Sequence, residues 1–153
     1  MNLRRFRKED AKSVADLIRR NDIEVTSKYY PKELIEVWGK GLSPEYIINL
    51  SKGKICYVAE EKKKIIGYIC LEGNSINKLF VLPQEHKKSI GSLLLSKIEG
   101  ICNKKGFKKI VLDSNISSEG FYLKKGFKKI KTIFRNKKGI KFKVIQMEKI
   151  LKC

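Results

Sequence analysis

The chain has 153 residues, of which 42% are hydrophobic and 33% charged, as is ordinary for one globular domain. No run of about 18 apolar residues marks a transmembrane helix, and the first residues lack the apolar segment of a signal peptide. The four cysteines form no Cys-x-x-Cys pair and there is one histidine, so no zinc site is expected. We expect buried free thiols in a reducing cytoplasm.

Positive charge is concentrated in the second half of the chain. The formal net charge is +19; residues 86–153 carry 19 basic and 4 acidic side chains, whereas residues 1–85 carry 16 and 12. Such a field attracts polyanions, which include a multiply phosphorylated cofactor, nucleic acid or an acidic surface. Compositional bias is an equally weighted alternative, because lysines outnumber arginines by 29 to 6 and lysine runs are usually solvated faces.

The pattern of apolar residues predicts strands and helices with no linker between them. A strand at residues 2–6 precedes three helices, at 8–21, 32–39 and 43–50, the last opened by a Ser-Pro-Glu helix start. Three consecutive strands follow at 55–60, 65–71 and 75–82, and then a long helix from 90 to about 106. A strand at 109–113, a short helix at 117–125 and a hairpin of strands at 127–134 and 141–150 complete the chain. This order predicts one α/β domain around a mixed sheet.

The segment VLPQEHKKSIGSLLL, at residues 81–95, joins a predicted strand to the long helix. The apolar run of residues 79–82 ends at Pro83, and a short basic loop with Ser89 and Gly91 follows. At such a junction, free backbone N–H groups and the positive end of the helix dipole point at one spot, which suits a phosphate or pyrophosphate. Gly91 lets an anion approach the backbone closely.

A second motif, NISSEGFYLKKGF at residues 115–127, follows the strand at 109–113. Together the two motifs resemble those of the GNAT acetyltransferase superfamily, whose members move the acetyl group of acetyl-CoA to an amine. The first motif departs from the family at His86, where Arg or Gln is usual, and at Ser89, where glycine is usual. The second departs only at Ser118. The matching positions are Leu79, Phe80, Val81, Pro83 and Gly91 in the first motif, and Asn115, Phe121, Tyr122, Gly126 and Phe127 in the second.

The resemblance spans nearly the whole chain, and helices at 31–50 are similar to those of a small-molecule branch of the superfamily. It implies one N-acetyltransferase (GNAT) domain over residues 1–153, of the α/β (α+β) class. The central sheet would be mixed, mostly antiparallel, of about seven strands flanked by helices. It also implies acetyl-CoA as the co-substrate, with no metal.

The cofactor site implied by the resemblance uses the strand before the loop, the loop itself and the second motif. Pantetheine would pair with the strand, and backbone N–H groups would hold the phosphates, so we expect Ser89 to preserve binding. If Ser89 has a positive φ, it carries a strain of about 1 kcal/mol. His86 has no partner arranged as in a triad, which favours a plain loop residue. The predicted cofactor-binding residues are Leu79, Phe80, Val81, His86, Lys87, Lys88, Ser89, Ile90, Gly91, Ser92, Asn115 and Tyr122.

The resemblance also implies a catalytic role for Tyr122, as the proton donor to the CoA thiolate. On the residues alone, a packing pair on a helix is the favoured interpretation of Phe121 and Tyr122, whereas within the motif the functional interpretation of Tyr122 is favoured. The general base stays open, because the stretch at 76–78, where family members often carry a glutamate, reads Ile-Asn-Lys. Glu72 and Asp113 are the nearest carboxylates, each equally readable as a structural acid, and a water relay is a third option.

The sequence therefore predicts an N-acetyltransferase that acts on a primary amine of a small molecule, peptide or protein, by direct attack in a ternary complex. Two alternatives keep the same fold: a basic nucleic-acid-binding module, and a module that binds CoA without turnover. The first is disfavoured because no nucleic-acid motif or aromatic platform is found. Lysines 87, 88, 124 and 125 are candidates for the cofactor phosphates. No membrane partner is expected, and a homodimer stays an option.

Overall fold

A computed structural model describes residues 1–152, apart from the side chains of Lys87 and Lys88. In this range seven strands form one sheet, in the order β1-β2-β3-β4-β5-β7-β6, and all neighbours are antiparallel except β4 and β5. The predicted mixed, mostly antiparallel sheet is thus confirmed. The strands are β1 (Asn2–Arg5), β2 (Ile55–Glu61), β3 (Lys64–Glu72), β4 (Ser75–Val81), β5 (Lys109–Ser114), β6 (Lys128–Lys137) and β7 (Ile140–Ile150).

Five α-helices lie between the strands in the part of the chain that the structure describes. They are α1 (Ala11–Glu24), α2 (Lys32–Gly41), α3 (Pro44–Ser51), α4 (Ile90–Lys104) and α5 (Glu119–Lys124). The prediction ended the first helix at residue 21, but Val25 N–H bonds to Asn21 O at 2.8 Å and the helix continues for one more turn. At α3, the Ser43 hydroxyl accepts from Tyr46 N–H and Pro44 occupies the first turn, as the Ser-Pro-Glu start predicts.

The central strand β3 is apolar on both faces because helices cover both. Its residues between Lys64 and Glu72 are all buried. Tyr68 points to α3, where its hydroxyl pairs with the Ser51 hydroxyl at 2.7 Å. The preceding Gly67 points to α4 so closely that a Cβ there would lie 2.9 Å from Leu94 Cδ1. Since successive side chains leave a strand on opposite faces, α3 and α4 lie on opposite sides of the sheet.

The parallel strands β4 and β5 pair over two residue pairs only, Ser75 with Val111 and Ile76 with Leu112. Directly after them, β4 holds one extra residue, Asn77, in its pairing with β3. Such a β-bulge bends and twists the strand that carries it. Beyond the bulge β4 and β5 run apart, which leaves a cleft in the middle of the sheet.

The C-terminal hairpin is longer than predicted. The sequence indicated a turn over residues 136–139, whereas β6 runs to Lys137 and β7 starts at Ile140. Lys138 and Gly139 form a two-residue turn with φ of 50° and 83°, and such tight turns match the twist of the strands they join. Lysine is not a usual residue at a positive φ, which is why the pattern suggested a wider turn.

Three of the four cysteines, Cys56, Cys70 and Cys102, are buried, as predicted. The fourth, Cys153, lies outside the described residues. Within residues 1–152, no helix combines the length and the apolar character that crossing a membrane requires.

Candidate active site

A cavity of about 470 Å³ occupies the cleft between β4 and β5. Its walls come from β4, the end of β5, the last turns of α1, the N-terminus of α4 and helix α5. The predicted cofactor residue Ile90 does not line the cavity, because its side chain is buried in the core, facing Gly67. The side chains of Lys87 and Lys88 lie outside the described residues. The predicted cofactor residues that line the cavity are Leu79, Phe80, Val81, His86, Ser89, Gly91, Ser92, Asn115 and Tyr122.

The β4 wall presents backbone N–H groups to the cleft. Leu82 N–H donates to Ile66 O of β3 at 2.9 Å, so it points away from the cleft. Successive N–H groups along a strand point to opposite edges, so those of Val81 and Leu79 point into the cleft. There they are free to pair with an extended ligand that takes the place of a neighbouring strand.

The carbonyl of Val81 is held by two side chains. Asn21 Nδ2 donates to it at 3.0 Å, and His86 Nε2 lies 2.9 Å from it. A carbonyl oxygen only accepts, so His86 Nε2 carries a proton and donates. The 3.2 Å between Asn21 Nδ2 and His86 Nε2 then separates two donors that share one acceptor. The histidine at the family's Arg or Gln position therefore ties the loop to the end of β4.

Asn21 was missed in the sequence. It lies on the buried face of α1, one turn after Leu17 and Ile18, where the apolar stripe would place another hydrophobic residue. A buried polar residue in that stripe is the signal that could have been noticed, because such residues are kept where they have a specific partner. The partner, Val81, is 60 residues away in sequence.

The N-terminus of α4 faces the cavity through unpaired amides. Ser89 has φ 61° and ψ 22°, the left-handed region, and the helix starts where Leu93 N–H bonds to Ser89 O at 3.1 Å. The N–H groups of residues 90–92 precede that bond and have no partner inside the helix. Free amides of this kind, together with the positive end of the helix dipole, suit the binding of an anion. The departure at Ser89 therefore preserves the donors and costs strain of about 1 kcal/mol.

The lack of a side chain at Gly91 leaves room for Phe121 of α5. A Cβ on Gly91 would lie 3.2 Å from Phe121 Cζ and 3.7 Å from Val81 Cγ2. The missing side chain thus lets α5 pack against the first turn of α4. Gly91 therefore allows the motif at residues 81–95 to contact the motif at residues 115–127.

Tyr122 is both a packing residue and a cavity residue. Its ring makes edge contacts with Phe121 and Phe127, with centroids 5.2 and 5.4 Å apart. Its side chain is 6% exposed and lines the cavity. Among the described residues no group hydrogen-bonds its hydroxyl, and burial raises the pKa of Tyr122. The hydroxyl is therefore a protonated donor with no protein partner.

These features are matched by a known family. Residues 26–151 match the model of the acetyltransferase (GNAT) domain. The chain belongs to the GNAT acetyltransferase family. No curated protein sequence matches it. The membership confirms the enzyme class that the two motifs predict, which is an acyltransferase.

Solved GNAT structures share the fold at low sequence identity. A GCN5-related N-acetyltransferase from Rhodopseudomonas palustris superposes with a TM-score of 0.92 at 20% identity, over 98% of this chain and 95% of that one. The PaiA N-acetyltransferase from Thermoplasma acidophilum, solved in complex with coenzyme A, gives 0.80 at 24% identity, over 97% and 98%. An aminoglycoside 6'-N-acetyltransferase complexed with coenzyme A gives 0.71 at 16% identity, over 100% and 98%.

Of the two carboxylates predicted for this GNAT enzyme, only Asp113 reaches the cavity. It is the next-to-last residue of β5, is exposed, and pairs with Arg135 of β6. Glu72 is the last residue of β3, where it accepts from Asn77 Nδ2 at 3.0 Å and pairs with Lys54 at 3.8 Å. It does not line the cavity, because it lies beside the start of β4, at the opposite end of that strand from the N-terminus of α4.

A third carboxylate, Asp22, escaped the sequence analysis. It is buried on α1, next to Asn21, and burial raises its pKa to about 6 against the opposing effects of Thr26 and Lys78. Thr26 and Lys78 both line the cavity. The Thr26 hydroxyl is fully buried and makes no hydrogen bond of good geometry with any described residue. The part of the cavity wall that Thr26 and Lys78 form is therefore polar.

Proposed function

We propose that this GNAT enzyme transfers the acetyl group of acetyl-CoA to a primary amine of a small molecule, peptide or protein, by direct attack in a ternary complex. One observation carries the proposal: free β4 amides, the open N-terminus of α4 and a tyrosine hydroxyl that no described residue hydrogen-bonds meet in a single cavity. The coenzyme A in two similar structures is consistent with it.

The residues of the cleft fit the parts of the cofactor in order. The N–H groups of residues 90–92 would bind the diphosphate, which a side chain on Gly91 would crowd. The N–H groups of Leu79 and Val81 would pair with the pantetheine amides as an added strand. Lys124 and Lys125 line the same cavity and would add positive charge beside the phosphates.

Backbone amides of β4 would stabilise the developing oxyanion. Val81 N–H points into the cleft, and Val81 is also anchored through its carbonyl, which accepts from Asn21 and His86. Donors that need no rearrangement at the moment of reaction contribute most to such stabilisation. Asn115, at the end of β5, would hydrogen-bond pantetheine or order water near the amine.

Tyr122 would protonate the leaving thiolate. Burial raises the pKa of Tyr122, which by itself makes proton donation harder. The same burial also penalises a thiolate formed beside it, so the pKa values of donor and acceptor rise together. The raised pKa also keeps the hydroxyl protonated throughout the neutral range.

Proton removal from the amine is assigned to the open end of the cavity. Asp113 is the carboxylate that lines it, although one of its oxygens is engaged by Arg135. We propose that Asp113, or water beside it, receives the proton and passes it to bulk solvent. Glu72 is not included in this route, because it lies outside the cavity.

A thiol-release screen tests the proposal. Acetyl-CoA is incubated with the protein and a broad panel of amines, peptides and aminoglycosides, and free CoA and acetylated product are measured together. We expect release of CoA in equal amount to an acetylated amine. A thermal shift with acetyl-CoA but no release would favour the non-catalytic CoA-binding module. Salt-sensitive retention on DNA without a thermal shift would favour the nucleic-acid module.

A further inference from the structure

Two cysteines face each other across the buried centre of the sheet. Cys56 of β2 and Cys70 of β3 are directly opposed in the strand register, and their Sγ atoms are 3.0 Å apart. Their exposed fractions are 2% and 0%. Neither takes part in the proposed acetyl transfer, so the inference is independent of that function.

The main-chain hydrogen bonds show which kind of cross-strand pair this is. Phe6 N–H donates to Cys56 O at 2.9 Å, so the main chain of Cys56 bonds to the β1 side of the sheet. Towards β3, Cys56 and Cys70 therefore occupy a non-hydrogen-bonded pair, in which the Cα atoms are about 4.5 Å apart. That separation lies within the range that a disulfide bridges, about 4.4 to 6.8 Å.

The surroundings make Cys56 the more reactive sulfur. The Tyr68 hydroxyl lies 3.7 Å from Cys56 Sγ and pairs with the Ser51 hydroxyl. The neighbouring Cys70 thiol, as the largest effect, and the Tyr68 hydroxyl lower the pKa of Cys56 below its usual value, although burial opposes this. The pKa of Cys70 is raised. A thiolate beside a neutral thiol is the arrangement from which a disulfide forms.

We propose that Cys56 and Cys70 are a site of reversible oxidation, at which a peroxide converts the folded protein to a form with a β2–β3 disulfide. The Cys56 thiolate attacks one oxygen of the peroxide and the O–O bond breaks. The released hydroxide takes up the proton that Cys56 lost on ionising and leaves as water. Cys70 sulfur then attacks the sulfenic acid of Cys56, the S–O bond breaks, and the Cys70 proton leaves with hydroxide as a second water. The two sulfurs lose two electrons in total and the peroxide gains them.

The cross-link joins strands that are already paired, so its formation requires little movement of the backbone. Its main effect is on the unfolded chain, in which it closes a loop of residues 56–70. We expect the oxidised protein to melt at a higher temperature than the reduced protein. Dithiothreitol should abolish this difference in melting temperature, because a thiol reduces the disulfide by exchange.

The experiment oxidises the full-length folded protein with hydrogen peroxide and then alkylates remaining thiols in denaturant. The sequence has four cysteines, and we expect alkylation to fall from four sites to two, with a peptide linking Cys56 to Cys70. The same treatment of the protein in guanidinium chloride should give mixed pairings, because four cysteines allow three connectivities. That contrast shows that the fold selects the pair.

Two variants sharpen the result. Cys102→Ala removes another buried cysteine and should still form the link, whereas Cys70→Ala should leave Cys56 unlinked. If Cys70→Ala fails to fold, the wild-type peptide map decides alone. Four free thiols after treatment of the folded wild type, or links that involve Cys102 or Cys153 instead, would overturn the proposal.

Discussion

The Tyr122 hydroxyl has no hydrogen-bond partner among the described residues, and Tyr122 lines the cavity, so its proposed proton donation can be tested separately from the packing of its ring. Tyr122→Phe preserves the ring contacts with Phe121 and Phe127 and removes only the donor. We expect kcat to fall about 100-fold, the low end for loss of a general acid, with the KM for acetyl-CoA nearly unchanged. Steady-state kinetics measure both constants.

Tyr57→Phe is the matched control for that variant, since Tyr57 is a half-buried β2 residue that does not line the cavity. Its kcat should equal that of the wild type. Equal turnover in Tyr122→Phe would remove this hydroxyl from the mechanism and leave Tyr122 as a packing residue.

Ser89 occupies a left-handed backbone conformation, which costs an L-residue about 1 to 2 kcal/mol. Glycine would avoid this strain, but about half of the gain would be offset because glycine loses more conformational entropy on folding. We therefore expect Ser89→Gly to raise the free energy of unfolding by about 0.5 kcal/mol. Ser89→Ala keeps the Cβ and should bring no such gain. Urea denaturation compares the two variants, and a glycine variant no more stable than the alanine variant would mean that Ser89 is unstrained.

The first turn of α4 combines the backbone amides assigned to the diphosphate in our proposal with a close contact to α5. Gly91→Ala would crowd Phe121, and Gly91→Asp would crowd it equally while adding a carboxylate at the site of the diphosphate. We expect acetyl-CoA affinity to fall a few-fold in the alanine variant and at least about 10-fold further in the aspartate variant. Equal affinities of the two variants would show that the diphosphate binds elsewhere.

The C-terminal half of α1 carries a stability term that depends on pH. Burial raises the pKa of Asp22 to about 6, whereas it is near 3.8 in an unfolded chain. Between these values the folded protein holds a proton that the unfolded chain has released, so this group makes stability fall as pH rises from about 4 to about 6. A shift of this size corresponds to about 2 to 3 kcal/mol.

Asp22→Asn tests that term because it removes the titration and keeps the shape. Relative to wild type, the asparagine variant should gain stability by about 2 kcal/mol between pH 4 and pH 7, as chemical denaturation measures it. Asp10→Asn is a control of opposite sign. Burial alone would raise the pKa of Asp10, but the Arg4 side chain and Arg7 N–H lower it below its usual value. A pH-independent difference for Asp22→Asn would contradict a buried neutral carboxyl.

The order of strands and helices was predictable because apolar periodicity is a local property of the sequence. For that reason the apolar segment at 65–71 was correctly predicted as an interior strand, which is β3. The two motifs identified most of the residues that line the cleft. The bulge at Asn77 and the capping of the Val81 carbonyl by Asn21 were not predictable. Each depends on residues far apart in the chain, and a pattern of polarity does not encode which distant partner a polar group finds.

The proposed anion site lies in the strongly basic half of the chain. Residues 86–153, with 19 basic and 4 acidic side chains, include the α4 N-terminus, α5 and the C-terminal hairpin. A field of this sign concentrates a multiply charged anion near the cleft and is screened by salt. The backbone amides then supply the specific contacts that the field does not.

The most direct test of the account is a calorimetric titration of the wild-type protein with acetyl-CoA and, separately, with acetyl-pantetheine, which lacks the diphosphate and the nucleotide. Because residues 90–92 are assigned to the diphosphate, the account predicts one site for acetyl-CoA and an affinity at least about 10-fold weaker for acetyl-pantetheine. Equal affinities for the two compounds, or no binding of acetyl-CoA, would contradict it.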